Sequence, residues 1–117
     1  MNYEYKLAVV GFESSILLYK AIGAIAFPVT DAASAQAEVE KLFKTKQDEE
    51  GTVPTYAVIF VEETLYAELP EDLIDRFTTR PLPAVVPIPS PAAGDESYAA
   101  KRMSKIIEKA VGSDIFN

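Results

Sequence analysis

Four short apolar runs punctuate this chain, at residues 7–10, 24–29, 56–61 and 83–88. Between them lie segments whose apolar residues recur every three or four positions. Strand and helix signals that alternate in this way are satisfied by a sheet of parallel strands joined through crossover helices. The runs are continuous rather than alternating with polar residues, as expected of strands buried on both faces. The clearest is Tyr56-Ala57-Val58-Ile59-Phe60-Val61, which is β-branched, aromatic and free of charge.

The intervening segments carry helix signals. After Gly11, Ser14 or Ser15 can cap a helix running through Ile16, Leu17 and Tyr19 to Ala21, with Gly23 as its C′ residue. Thr30 or Asp31 caps a second helix, along which Ala32, Ala35, Val39, Leu42 and Phe43 form one stripe. Glu40 and Lys44 stand at i, i+4 in the favourable order for an ion pair. Residues 46–54 are polar, contain Gly51 and Pro54, and read as a loop. Residues 64–69 form a turn of helix. Pro70-Glu71-Asp72 then starts a short helix ending near Phe77, with Pro70 at N1 and acids in the first turn. The fourth strand contains Pro87, which cannot donate to a ladder and belongs at a sheet edge. A last helix opens at Asp95 or Ser97 and stops at Gly112, with Tyr98, Met103, Ile106, Ile107, Ala110 and Val111 on one stripe and Lys101, Arg102, Lys105 and Lys109 largely outside it. The expected fold is α/β: a four-stranded parallel sheet, order 2-1-3-4, flavodoxin- or Rossmann-like, flanked by helices. Residues 1–90 form the body, and residues 91–117 a loop and a C-terminal docking helix.

Composition narrows function by exclusion. Of 117 residues none is Cys or His, which removes thiolate chemistry and the commonest acid/base catalyst and metal ligand. The net charge is -7 and the cations are scattered apart from Lys101-Arg102, which does not fit a nucleic-acid binder. No apolar stretch approaches the ~20 residues of a membrane-spanning helix, and the first residues lack a leader pattern, so the expectation is a cytoplasmic protein without membrane insertion.

Two places invite a site reading. Gly11-Phe12-Glu13-Ser14-Ser15 follows the first strand, where open α/β sheets often bind ligands, but it lacks the Gly-Lys-Ser/Thr ending of a P-loop and the G-x-G-x-x-G of a dinucleotide fold. Glu62-Glu63 follows the third strand and, with Glu13, defines the alternative reading: a receiver-like or small-anion-binding module with an acidic Mg²⁺ site. A receiver requires an Asp where Glu62 or Glu63 stands, and a fifth strand. The dull reading of these glutamates is a surface turn.

The C-terminal third is more specific. Lys101-Arg102-Met103-Ser104-Lys105-Ile106-Ile107-Glu108-Lys109-Ala110-Val111-Gly112-Ser113-Asp114-Ile115 resembles the end of the F subunits of V/A-type rotary ATPases, where a helix closes in Glu-Lys-Ala-Val-Gly-x-Asp-Ile. Pro83-Ala84-Val85-Val86-Pro87-Ile88-Pro89-Ser90 is similar to that family's fourth strand and following loop. Lys6-Leu7-Ala8-Val9-Val10-Gly11 and Val61-Glu62-Glu63 agree less specifically. The chain departs from the family at Leu18-Tyr19-Lys20-Ala21-Ile22-Gly23, where members commonly carry Gly-Phe-Arg-Leu-Ala-Gly; Lys20 keeps a charge but loses the planar fork of arginine. Residues 47–54 also look longer than usual.

The resemblance implies a non-catalytic part of the rotor shaft, with no cofactor and no metal. Its C-terminal helix would dock on the long coiled coil of the D subunit through Lys101, Arg102, Met103, Lys105, Ile106, Ile107, Lys109, Ala110, Val111 and Ile115. The shaft turns inside the A/B hexamer and is coupled to the membrane ring by a d- or C-type subunit. Burying the large apolar side chains of that helix in a partner would contribute roughly 1.5–3 kcal/mol each before the cost of association. The cations would add orientation and on-rate more than affinity.

Overall fold

The computed structural model describes residues 3–90. Eight elements follow one another: β1 (Lys6–Gly11), α1 (Glu13–Lys20), β2 (Ala24–Pro28), α2 (Ala32–Lys44), β3 (Tyr56–Glu62), α3 (Glu63–Tyr66), α4 (Glu71–Thr78) and β4 (Ala84–Ile88). All strand pairs are parallel, and the sheet order is β2-β1-β3-β4. This is the α/β architecture and strand order expected from the apolar runs. Pro87 lies on the outer strand β4, opposite Val61, where its missing N–H costs no internal ladder bond.

Successive residues of a strand face opposite sides, so the sheet builds two cores. On one side Ala8, Val10, Ile59 and Val61 meet Ala35, Val39 and Leu42 of α2, Leu65 of α3, and Leu73 and Phe77 of α4. On the other, Val9 and Ala24 pack with Ile16 and Tyr19 of α1, and with Ile88 at the end of β4. The Tyr19 ring lies 5.8 Å from that of Phe60. Burial pushes the Tyr19 phenol up to about 12.

Local chemistry sets the helix ends, and several differ from the sequence reading. The N-cap of α1 is Phe12, without a side-chain cap, so Ser14 and Ser15 lie inside the first turn. The helix can begin directly behind β1 because the Phe12 N–H has another acceptor, described below. Helix α1 ends at Lys20 with Ala21 as C-cap, and Gly23 (φ 92°) comes one position later than the expected C′. Asp31, rather than Thr30, caps α2. Its carboxylate accepts the Ser34 N–H at 2.7 Å while the Ser34 hydroxyl oxygen accepts the Asp31 N–H at 3.2 Å. These bonds hold the Asp31 carboxyl below the usual carboxylate range. Pro70 is the N-cap of α4 and not its N1 residue. The loop after α2 is closed at its base by a bridge between Lys46 and Pro54. Within it Asp48 accepts the Thr52 hydroxyl and the N–H groups of Thr52 and Val53, which lowers its carboxyl to about 2.

Candidate functional site

Parallel strands end together at one edge, and this edge holds a built polar cluster. Glu62, the last residue of β3, is completely buried. A carboxylate taken out of water needs donors around it. Its Oε1 accepts the Phe12 N–H at 3.3 Å. Its Oε2 accepts the hydroxyls of Thr64 at 3.0 Å and Ser90 at 2.9 Å. Glu62 therefore joins three parts of the chain: the β1–α1 junction, the start of α3 and the exit from β4. Glu63 adds a second tie, its Oε1 accepting the Ser90 N–H at 3.2 Å. No buried side-chain polar atom among the described residues lacks a partner.

Gly11 makes the cluster possible. A Cβ placed there would stand 2.7 Å from Ile16 Cγ2 and 3.1 Å from Glu62 Oε1. The close approach of α1 to the end of β3 thus leaves no room for a side chain.

The surface-turn reading of Glu62 is overturned by this arrangement. The signal that could have found it is the position itself: a glutamate ending an all-apolar strand remains inside the sheet, so it must find donors there. Glu13, by contrast, opens α1 on the exposed surface. Among the described residues no three acidic groups are placed to hold a metal ion, and Glu62 is already committed to donors of the protein.

The residues expected to bind a partner, from Lys101 to Ile115, lie outside the described residues. The structure gives the point from which that segment departs. Ser90 is buried, and both its N–H and its hydroxyl donate to the glutamates at the end of β3. The described part of the chain therefore ends at a fixed position at the carboxyl edge. No helix among the described residues is long and apolar enough to cross a membrane.

Comparison with known proteins covers body and tail together. Residues 7–107 match the family described as ATP synthase (F/14-kDa) subunit. The F subunit of the V-type ATP synthase of Clostridium perfringens is 38% identical over 115 residues, which is 98% of this chain and 99% of that protein. The F subunit of the Fusobacterium nucleatum enzyme is 34% identical over the same length and with the same coverage. That of Clostridium botulinum is 39% identical over 110 residues, 94% of this chain and 96% of the relative.

Proposed function

The chain belongs to the ATP synthase (F/14-kDa) subunit family, as the F subunit of a V-type ATP synthase and hence an accessory rather than catalytic member of that complex, and we propose that it works there as part of the central rotor shaft. In this reading residues 3–90 are a rigid body and residues 91–117 carry a helix that docks on the coiled coil of a D-type stalk subunit. ATP hydrolysis or synthesis on the A/B hexamer is then coupled through the shaft to ion movement at the membrane ring, by way of a d/C-type subunit. The chain sits at the membrane only peripherally, through the assembly.

The observation that carries the proposal is the span of the likeness: 34–39% identity over 94–98% of the chain, tail included. A docking element depends on its apolar stripe, so likeness limited to the α/β body would not have supported it. The geometry of the exit adds a mechanical reason. A shaft component transmits torque only if its arm leaves the body from a fixed point, and Glu62 and Glu63 hold Ser90 by two hydrogen bonds.

Co-purification with a D-type stalk protein tests the reading, comparing the full chain with residues 1–94. The full chain is expected to form the complex and the truncated chain to fold, by circular dichroism, without forming it. Normal binding by the truncated chain would refute the docking helix. The receiver-like alternative finds no support in the cluster, since the Glu62 oxygens are engaged by Phe12, Thr64 and Ser90.

A further inference from the structure

Opposite the carboxyl edge, the C-terminal ends of α2 and α4 come together beside the start of β3 and enclose a groove of about 310 Å3. Its floor is apolar: Phe43 and Phe77 stand with ring centroids 4.7 Å apart. Its rim is cationic, with Lys44, Lys46, Arg76 and Arg80 all lining it. The chain carries a net charge of -7, so this concentration runs against its overall sign. Of its eleven Lys and Arg, four lie in residues 101–109, and the groove takes four of the other seven.

Helix termini explain only part of that rim. Lys44 and Arg76 occupy last turns, where cations offset the negative end of the helix dipole. Lys46 and Arg80 lie beyond both helices and have no such role. Nor does internal pairing account for them. Arg76 meets Glu40 at 3.3 Å, and among the described residues this is the only ion pair. Glu40 therefore turns to Arg76 across the groove and not to Lys44 four residues on, contrary to the helical pairing expected from the sequence. Lys44, Lys46 and Arg80 are left without a carboxylate among the described residues.

We infer that this groove docks an acid-bearing amphipathic segment of another protein chain, whose apolar side chain covers the Phe43–Phe77 floor while its carboxylates meet Lys44, Lys46 and Arg80. Charge complementarity selects the occupant. The chain's own tail is a poorer match: in residues 91–117 Lys101, Arg102, Lys105 and Lys109 balance Asp95, Glu96, Glu108 and Asp114, so it brings no net negative charge to the rim, and its apolar stripe is assigned to the stalk in the reading above. A small anion fits poorly as well, because helix carbonyl ends rather than N–H groups face the site. The inference rests on the chain being part of a multi-subunit ATPase, but uses a surface separate from the docking helix.

Carbodiimide coupling joins a lysine amine to a carboxylate in contact with it. Applied to the intact ATPase complex containing the full chain and read by mass spectrometry, it should couple Lys44 or Lys46 to an Asp or Glu of another subunit. The double variant Lys46→Glu/Arg80→Glu, whose changes are at the groove rim, should lose that product and be retained in the complex at least tenfold more weakly at low salt, with the difference shrinking as salt rises. If the chain is in the complex but neither Lys44 nor Lys46 couples to another subunit, whatever the lysines of residues 101–109 do, the inference is overturned alone. If the chain is absent from the complex, the shaft reading falls and takes this inference with it. Titrating the isolated full chain with ATP or inorganic phosphate separates the remaining case: saturable binding abolished in the double variant would make the groove a small-anion pocket and overturn the proposal, whereas no binding agrees with it.

Discussion

At the scale of single residues, Glu62 and Gly11 act as one unit. Replacing Glu62 by Gln keeps the shape but turns an amide N–H₂ toward groups that donate. The expected loss is about 1–3 kcal/mol, measured by urea unfolding. Leu at the same position leaves the Phe12 N–H and the Ser90 hydroxyl without their acceptor and is expected to cost more. Gly11→Ala forces a methyl against Ile16 and Glu62 and should destabilise by roughly 1–3 kcal/mol. Asp48 supplies a pH signature. Its carboxyl is lowered to about 2 by the Thr52 and Val53 donors, so its contribution is fully present above the ordinary carboxylate value and disappears as pH falls through about 2. Amide exchange at Thr52 and Val53 should remain protected at pH 4 and open toward pH 2, and Asp48→Asn should remove that dependence. Of these residues the sequence marked Gly11 as a turn and left Glu62 at the surface. Burial of a polar group depends on what the neighbouring strand ends bring to it, here Phe12 from β1 and Ser90 from β4, some fifty and twenty-eight positions away, and such partners have no local signature.

Among the elements, the strands were the most legible part. A short continuous apolar run bounded by turn residues and rich in β-branched side chains fits a strand buried on both faces, and β1, β2, β3 and β4 fall within a residue or two of the runs that announce them. Pro87 placed β4 at an edge for the same reason. Helix starts were less legible, because a cap can be served by a distant group: Ser14 and Ser15 have the chemistry of a cap, yet Glu62 receives the Phe12 N–H and α1 begins earlier. Where the cap is local, pattern sufficed. Asp31 and Ser34 satisfy each other, and Asp31→Ala should destabilise α2 by about 1 kcal/mol in the same unfolding assay, with Asp31→Asn nearly neutral. The Glu40–Lys44 pair failed because an exposed carboxylate chooses among all cations in reach, and α4 offers Arg76.

For the whole molecule, the two edges of one sheet differ in chemistry. The carboxyl edge anchors Ser90 through the buried Glu62 and the half-buried Glu63; the amino edge carries the cationic groove. The chain is an accessory subunit of a V-type ATP synthase, and in the shaft reading proposed for it the body serves as the mount from which residues 91–117 depart. The proposed docking residues rest on family resemblance, since an amphipathic stripe alone serves equally for packing on the chain's own sheet. The central claim is that residues 101–115 bind the stalk coiled coil. Its most direct test is an affinity titration of the full chain and of Ile107→Asp against a purified D-type stalk protein, with the fold of both checked by circular dichroism. The account predicts a loss of roughly 100-fold for Ile107→Asp, as expected when a charge enters a buried anchor position. Equal affinity of the two proteins would contradict it.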